Sequence, residues 1–279
     1  MASLNQTQPM ETLPSGVRYR HWRPEGAVKA VVLLLHGLGE HSGRYQQVAS
    51  LMCARGLAVV APDHLGHGES PGTRVMVRSF DDYLPAVDAL RSMIDADYPQ
   101  TPCFLLGHSM GGLLAARILL DQQQRYQGAL LSGPAFAAAE PPPAIVQWIA
   151  KLLAKVAPGL GVMALDASGV SRDPKVVSAY NNDPLVNHGK VTAGLAVAIF
   201  ATMAHVMSEA ATITLPMLVC HGGADTMAAP EGSEAFVAAI SASDKTLKIF
   251  PGLFHEIFNE PEGDDIVAAY CDWIEARLT

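Results

Sequence analysis

Apolar runs of the length of buried strands alternate along this chain with segments whose apolar residues recur at helical spacing. The strand-like runs cover residues 16–21, 29–35, 57–61, 102–106, 128–131, 215–220 and 246–250. The helix-like segments lie within residues 45–54, 80–95, 113–120, 231–240 and 257–278. This alternation predicts an α/β fold with a mostly parallel central sheet and helices on both of its faces.

The alternation stops between Ala135 and Thr214. Three prolines at residues 141–143 precede an amphipathic helix over residues 145–156, and no strand pattern returns before residue 215. Open α/β sheets bind ligands at the carboxyl ends of their strands. We therefore interpret the interruption as a helical cap over those ends.

The predicted organisation is an α/β core in two parts, residues 1–135 and 215–279, with a helical cap insertion over residues 136–214. A chain of 279 residues is long enough for one large domain of this kind. Hydrophobic residues make up 49% and charged residues 16%, which is typical of a compact enzyme. The net charge of −8 and the lack of a basic run make nucleic acid an unexpected partner.

Two stretches bear on membranes and location. Residues 1–11 are polar and lack the apolar core of a signal peptide. Residues 191–208 carry no formal charge, but they include two threonines, a serine, a glycine and a histidine, so we expect a buried or ligand-lining helix there. We predict a cytoplasmic protein with no signal peptide or transmembrane helix, and leave peripheral membrane contact open.

Cysteine and histidine spacings give no sign of a metal centre. The four cysteines are far apart, with no C-x-x-C pair, and a reducing compartment is the default expectation. His64 and His67 have a spacing that metal ligands use, yet no carboxylate or cysteine completes a recognisable site. We expect no metal and no organic cofactor.

The sequence GHSMGG at residues 107–112 stands between a strand-like run and a helix-like one. G-x-S-x-G in that context is the nucleophile elbow, a sharp turn that exposes the serine hydroxyl. The glycines leave room for the turn, and the positive end of the following helix faces the serine. This places Ser109 as a nucleophile; the alternative is a tight glycine turn whose serine caps the helix.

A serine hydroxyl needs an imidazole to accept its proton and a carboxylate to orient that imidazole. In the chain order that goes with this elbow, the acid and then the histidine follow the serine. Asp225 comes just after the strand-like run at residues 215–220, and His255 follows the run at residues 246–250. We predict a catalytic triad of Ser109, Asp225 and His255.

Other acids and histidines are alternatives for the acid and the base of the triad. Asp63 also follows a strand-like run, but it precedes the serine, and Asp225 has the alternative role of a turn residue after glycines. Nine further histidines are alternatives to His255 as the base. Most precede the serine, with His108 directly adjacent to it; others fall in the cap, and His221 lies on the strand before Asp225.

The negative oxygen of a tetrahedral intermediate needs hydrogen-bond donors. The strand-like run at residues 29–35 ends in a glycine-containing turn, which can direct the Leu38 backbone N–H at the nucleophile. Met110, the residue after the serine, supplies the second N–H. We predict an oxyanion hole formed by Leu38 and Met110.

With these residues in place, the chain resembles the monoacylglycerol lipase and lysophospholipase branch of the serine α/β-hydrolases. The resemblance runs from about residue 16 to the end, and the blocks that carry it are HGLGEHSGRY at 36–45, DHLGHGES at 63–70, GHSMGG at 107–112 and AYNNDPLV at 179–186. The last block lies in the cap, the part that varies most between branches. The resemblance implies the α/β-hydrolase fold, the same triad and the same oxyanion hole.

It also implies a polar pocket for glycerol, whose members here are Glu40, Arg44, His108 and Tyr180. Vicinal hydroxyls need paired donors and acceptors, because an unpaired buried one costs about 1–3 kcal/mol. The alternative for Glu40 and Arg44 is a local ion pair that fixes the loop.

This chain departs from many relatives at Leu38, where they carry a smaller residue, which puts the acyl-length preference in doubt. The resemblance further implies a cap helix whose apolar side touches lipid interfaces. We expect instead that Trp148 and its neighbours pack onto the core.

The resulting hypothesis is a serine carboxylester hydrolase that cleaves monoacylglycerol to fatty acid and glycerol through an acyl-enzyme. The enzyme alternatives are a lysophospholipase and a broad short- or medium-chain esterase, since the same triad serves all three. A non-catalytic ligand-binding protein of this fold is the distant alternative. The expected partner is a small lipid ester; transient contact of the cap with a lipid interface and the oligomeric state are left open.

Overall fold

The computed structural model describes residues 9–140, 143–164 and 166–278. Most of the polar N-terminal stretch and two of the three prolines predicted to open the cap, Pro141 and Pro142, lie outside these residues.

In the described residues, eight strands form the central sheet and two more form a small antiparallel pair in the predicted cap. In chain order they are β1 Met10–Thr12, β2 Arg18–Trp22, β3 Ala30–Leu35, β4 Leu57–Pro62, β5 Cys103–His108, β6 Gly128–Ser132, β7 Gly161–Met163, β8 Val191–Thr192, β9 Met217–Gly222 and β10 Lys245–Phe250. The order across the sheet is β1-β2-β4-β3-β5-β6-β9-β10. Strand β2 is antiparallel to both of its neighbours, and all other pairs in this sheet are parallel.

Eight α-helices are found in the described residues, with short 3₁₀ turns beside several of them. They are α1 Gln46–Ala54, α2 Leu84–Asp97, α3 Met110–Gln122, α4 Ala144–Val156, α5 Pro174–Asn182, α6 Ala193–Glu209, α7 Pro230–Ala239 and α8 Gly263–Glu275. Helices α4 to α6 all belong to the segment between β6 and β9.

The central strand β3 shows how the sheet divides the core. All six of its residues are buried, and side chains of a strand point alternately to its two faces. Val31, Leu33 and Leu35 join one apolar cluster with residues of α2, α3, α6 and α7. Ala30, Val32 and Leu34 join the other cluster, with residues of α1 and α8. Helices therefore cover both faces, as the strand–helix alternation predicts.

Three strands have no counterpart in the sequence prediction. The segment 136–214 was expected to be free of strands, but β7 and β8 pair antiparallel within it. They have three and two residues, too few to show a two-residue period. The edge strand β1 is equally short.

The expectation that Trp148 packs onto the core is wrong. Its side chain is 61% exposed, and the neighbouring apolar residues of α4 are also exposed, namely Ile145, Val146, Ile149, Leu152 and Val156. Apolar residues cover more of the circumference of α4 than one packed face needs. Leu153 and Ala154 are half-buried, and the face that carries Trp148 is left in solvent.

Helix α6 occupies the uncharged stretch of the sequence. By length and composition alone, Ala193–Thr212 is the one helix in the described chain that is apolar enough to cross a membrane, and half of it is buried within the protein. Leu195, Ile199 and Val206 belong to the core cluster that it shares with α3. Its outer half extends under α4.

Candidate active site

The turn that carries Ser109 links β5 to α3. Ser109 has φ +53° and ψ −118°, a strained conformation for a residue with a side chain. A Cβ atom on Gly107 would lie 2.4 Å from the carbonyl oxygen of Gly111, and one on Gly111 would lie 2.1 Å from that of Leu35. Strand, serine and helix thus meet with no room for side chains at these glycines. This is the turn that the G-x-S-x-G pattern predicts.

A continuous hydrogen-bond chain leads from the serine through an imidazole to a carboxylate. His255 Nε2 lies 2.8 Å from Ser109 Oγ, and His255 Nδ1 lies 2.6 Å from Asp225 Oδ2. Asp225 follows β9 and His255 follows β10, so the parallel sheet brings both side chains to the edge where β5 ends. The ionised carboxylate accepts the Nδ1–H, which leaves Nε2 to accept the proton of the serine.

The Asp225 carboxylate is fixed by more than His255. Its Oδ1 accepts hydrogen bonds from the backbone N–H groups of Met227 at 2.7 Å and Ala228 at 3.0 Å. Its Oδ2 lies 3.0 Å from Nε2 of His221, a second imidazole on the same oxygen. Burial opposes ionisation, but these contacts and the charge of His255 outweigh it and hold the pKa of Asp225 well below its ordinary value.

The electrostatics of His255 run the other way. Burial of the ring lowers the pKa of an imidazole, yet the nearby Asp225 charge and its hydrogen bond dominate and raise the pKa of His255 above the usual value. A more basic imidazole suits a group that must take a proton from a hydroxyl.

The turn after β3 passes directly beside the serine. A Cβ atom on Gly37 would lie 3.2 Å from the Cβ of Ser109. Leu38, Ser109 and Met110 line the same cavity. The two backbones predicted to bind the oxyanion therefore flank the serine; their role stays a prediction.

A buried carboxylate supports that turn. Glu40 Oε1 accepts from the backbone N–H of Gly37 at 2.6 Å and from the Tyr45 hydroxyl at 2.7 Å. Its Oε2 accepts from Arg44 Nη1 at 2.8 Å. The local ion pair considered as the alternative for Glu40 and Arg44 is thus present.

Arg44 also forms a two-pronged ion pair with Glu256, at 2.5 Å and 2.7 Å. Its guanidinium lies 4.7 Å above the ring of Tyr180, a cation–π contact. Burial would raise the pKa of Glu256, but the adjacent Arg44 outweighs burial and lowers it. Glu256 was not predicted as a site residue from the sequence. The sequence feature that could have suggested it is its position directly after His255, because its partner Arg44 is 212 residues away.

His108 and Tyr180 complete the polar end of the site. His108 Nδ1 lies 3.1 Å from the Ser132 hydroxyl, and burial together with the neighbouring His255 lowers the pKa of His108 to about 3. Burial raises the pKa of the Tyr180 hydroxyl well above its ordinary value. Both groups are therefore neutral hydrogen-bonding groups at neutral pH.

A cavity of about 460 Å³ opens in front of Ser109. Glu40, His108, Tyr180 and Glu256, which lie around Arg44, form its polar end, and Met163, Ile199, Phe200 and Met203 form its apolar end. Arg44 lies behind the polar end, on a smaller cavity. This division suits a ligand with a polar head and an apolar tail.

A second cavity of about 420 Å³ lies between α4 and α6 and is almost wholly apolar. Met163, Ala196 and Phe200 line both cavities. The apolar end of the site therefore borders the space beneath α4.

Among residues that the structure describes, no group of three or more histidines, cysteines, aspartates or glutamates is arranged to hold a metal ion. His64 and His67 are both buried, and burial lowers their pKa values to about 3 and about 4. His64 Nε2 lies 3.1 Å from the carbonyl oxygen of His36, so this pair takes part in local packing of the loops.

Comparison with known proteins gives a consistent result. The model of the family described as serine aminopeptidase, S33 matches residues 26–262. The chain is 41% identical to a monoacylglycerol lipase of Mycolicibacterium smegmatis, over 94% of this chain and 95% of that protein. It is 35% identical to human monoglyceride lipase, over 86% of this chain and 80% of that protein.

Among solved structures, the monoacylglycerol lipase of Paleococcus ferrophilus superposes with a TM-score of 0.86 at 33% identity, over 94% of this chain and 99% of that one. The α/β-hydrolase fold expected from the sequence is confirmed.

Proposed function

Because the chain belongs to the serine aminopeptidase, S33 family of α/β-hydrolases, we propose that it is a serine hydrolase that cleaves monoacylglycerol to a fatty acid and glycerol. The observation that carries the proposal is the hydrogen-bond chain from Ser109 to Asp225 at the mouth of a cavity with one polar and one apolar end. The relatives named above as monoacylglycerol and monoglyceride lipases support this substrate class.

In the proposed mechanism, Ser109 Oγ attacks the ester carbonyl carbon while its proton passes to His255 Nε2. Asp225 stabilises the imidazolium that forms. The backbone N–H groups of Leu38 and Met110 bind the negative oxygen, and loss of one such donor typically costs about 10²–10³ in turnover. His255 then gives its proton to the departing glycerol oxygen, and water cleaves the acyl-enzyme by the same route.

We propose that the polar end of the cavity receives the glycerol moiety. Tyr180 and His108 line it as neutral groups, which can hydrogen-bond to hydroxyls without the cost of desolvating a charge. Glu40 and Arg44 are already bonded to each other and to the surrounding loops. Their contribution to glycerol binding is then largely to fix the shape of this end.

The apolar end would take the acyl chain. Each buried methylene contributes about 0.8 kcal/mol, so a long chain would gain most if it extended into the neighbouring apolar space beneath α4. Phe200 borders both cavities and would contact the chain where it passes from one to the other.

The exposed apolar face of α4 would contact the lipid from which the substrate comes. Trp148, Ile149 and Leu152 are all close to half exposed or more, and they lie above the apolar cavity. Exposed apolar patches of this kind mark interaction surfaces.

The decisive test combines a nucleophile variant with a substrate panel. Ser109→Ala should reduce hydrolysis of a monoacylglycerol by at least about 10³-fold and abolish labelling by a fluorophosphonate, with unchanged thermal unfolding. Ser208→Ala, an exposed serine on α6, serves as the matched control. Retained hydrolysis in a pure Ser109→Ala preparation would remove the mechanism, and a wild-type chain that fails to label would favour a non-catalytic binding protein.

The panel compares kcat/KM for a monoacylglycerol, a lysophosphatidylcholine and a simple methyl ester of equal acyl length. We expect the monoacylglycerol to be preferred because the polar end offers neutral hydrogen-bonding groups. A preference for the choline lipid or the methyl ester would replace the substrate assignment with a lysophospholipase or a general esterase.

A further inference from the structure

The loop that carries His255 is held largely by a segment of the predicted cap. The backbone N–H of His255 donates to the carbonyl oxygen of Gly169 at 3.3 Å, and that of Glu256 donates to Val170 at 2.8 Å. The preceding N–H, on Phe254, donates to the Glu260 carboxylate at 2.7 Å. Three consecutive backbone donors around the histidine are thus satisfied by two cap carbonyls and one side chain.

Glu260 joins the two sides of this contact. Its side chain has no solvent exposure. Besides Phe254, it accepts from the backbone N–H of Arg172 at 3.3 Å and from Arg172 Nε at 3.0 Å. Ser171 adds a further bond from its hydroxyl to the carbonyl oxygen of Asn259, at 3.0 Å.

The arrangement matters because Asp225 alone does not fix the imidazole. A ring held at Nδ1 can pivot about that bond, and the position of Nε2 then depends on where the backbone of His255 lies. A displacement of about 1 Å at a reacting group can cost about 10²-fold in rate. The backbone contacts with Gly169, Val170 and Glu260 are what limit that displacement.

We infer that Glu260 is a positioning residue, which locks cap residues 169–172 against the His255 loop and thereby sets the distance from His255 Nε2 to Ser109 Oγ. The inference rests on the proposed hydrolase function. Glu260 does not line the cavity in front of Ser109, so it acts on the rate through His255 and leaves substrate contacts unchanged.

The test is Glu260→Gln with Glu262→Gln as matched control. Glu262 also binds the Arg172 guanidinium, and its replacement by glutamine removes the same charge. Unlike that of Glu260, its side chain is 50% exposed. Active sites are counted by titrating one sample to completion with a fluorophosphonate. Values of kcat per titrated site and KM are measured on untreated enzyme with a water-soluble short-chain ester, together with the rate of fluorophosphonate labelling.

For Glu260→Gln we expect kcat per titrated site and the labelling rate to fall together by roughly 10- to 100-fold, with KM within about threefold of wild type. For Glu262→Gln we expect both rates within about twofold. A merely structural role for Glu260 would reduce the yield of titratable sites while leaving kcat per site unchanged, and that result would overturn the inference.

If Glu260→Gln does not fold, Arg172→Ala tests the same link, because it removes the side-chain bond from Arg172 Nε to Glu260 while Glu260 stays bonded to Phe254 and to the backbone N–H of residue 172. A fall in kcat per site then supports the inference, and an unchanged kcat overturns it. Failure of the proposed function is distinguishable, since the wild-type chain itself would then neither hydrolyse the ester nor react with the fluorophosphonate.

Discussion

The Oδ2 atom of Asp225 contacts two imidazoles, those of His255 and His221. His221 Nδ1 lies 2.7 Å from the Ser233 hydroxyl, so this second ring ties the carboxylate to α7. The carboxylate consequently has a fixed direction before any substrate arrives. At the scale of single residues, its charge should govern both the rate and the pH dependence of the reaction.

In the proposed mechanism, His255 must be neutral to accept the serine proton, and Asp225 raises the pKa of His255 above the ordinary 6.5. For the wild type, kcat/KM should therefore fall as pH drops, with a midpoint above pH 6.5. In Asp225→Asn, the raising charge is gone, so the midpoint should move to lower pH while kcat falls by about 10⁴-fold. Profiles of kcat/KM against pH check both effects.

An Asp225→Asn profile with an unshifted midpoint would contradict the assignment of Asp225 as the partner of His255. Asp244→Asn is a suitable control, because Asp244 pairs with Arg277 near the end of the chain. It should leave both the midpoint and kcat unchanged.

At this scale the sequence predicted the site residues that local patterns mark. Ser109, Asp225 and His255 each follow a strand-like run, and the structure brings them into hydrogen-bond contact. Glu256 and Glu260 escaped prediction because their partners, Arg44 and Arg172, are distant in sequence. A glutamate in a loop has no pattern that distinguishes a buried ion pair from a solvated side chain.

The turn between β5 and α3 depends on the close approach of α3 to the end of β3. In Gly111→Ala, the new Cβ would lie 2.1 Å from the carbonyl oxygen of Leu35 and 2.5 Å from that of His36. Backbone must shift to relieve these contacts, which typically costs about 1–3 kcal/mol. We expect a lower free energy of unfolding and at least a tenfold loss of kcat, measured by urea unfolding and steady-state kinetics.

Gly159→Ala is the matched control, since a Cβ at Gly159 would meet no atom within 4 Å. Its stability and kcat should be close to those of wild type. Equal behaviour of the two variants would show that the tight contact at Gly111 is not required.

The exposed face of α4 should matter only when the substrate is presented in a lipid phase. Burial of a large apolar side chain contributes about 1.5–3 kcal/mol, so Trp148→Ser should weaken binding to phosphatidylcholine vesicles by roughly tenfold or more. Hydrolysis of a water-soluble short-chain ester should be unchanged. Vesicle co-sedimentation measures the binding, and hydrolysis is assayed with the substrate in a lipid phase and with the water-soluble ester.

Lys155→Ser, another exposed position on the same helix, is the control and should alter neither property. Equal vesicle binding by Trp148→Ser and wild type would contradict a lipid-facing role for α4.

Long buried elements were predicted from the sequence more accurately than short elements or elements whose apolar face is exposed. Strands β3 and β5 are six buried residues each, and such runs are recognisable in any sequence that folds as a covered sheet. The amphipathic pattern of α4 gave its position but not its surroundings, because an apolar face does not state whether protein or lipid covers it. The pair β7 and β8 depends on tertiary pairing alone.

Across the whole molecule, buried neutral histidines link stability to pH. Burial lowers the pKa of His64 and His108 to about 3 and that of His67 to about 4, below the ordinary 6.5 of an unfolded chain. Below pH 6.5 the unfolded chain therefore binds protons that the folded chain does not. Their contribution is fully present above pH 6.5 and is lost as pH falls towards 3–4, by about 1.4 kcal/mol per pH unit for each group.

His255 opposes this trend, because its raised pKa makes it bind protons more readily when folded. Burial also lowers the pKa values of His21 and His36, so five groups against one give a net loss, and the free energy of unfolding should be lower at pH 5 than at pH 7 by at least about 2 kcal/mol. Urea titrations at several pH values measure it. A free energy of unfolding that is constant or larger at pH 5 would contradict the neutral state of these rings.

The segment between β6 and β9 is bonded both to the loop that carries His255 and to the turn after β3. Besides the contacts with the His255 loop, the N–H of Asn187 donates to Gly39 at 2.7 Å, and Asp183 lies 2.9 Å from Nε2 of His41. Replacing this region by that of a homologue to alter selectivity would therefore also replace contacts that hold the His255 loop and the turn after β3 in place. A chimaera should be functional only if residues 39–41 and 254–260 are taken from the same homologue as the segment between β6 and β9. Recombination breakpoints should therefore lie outside these two loops.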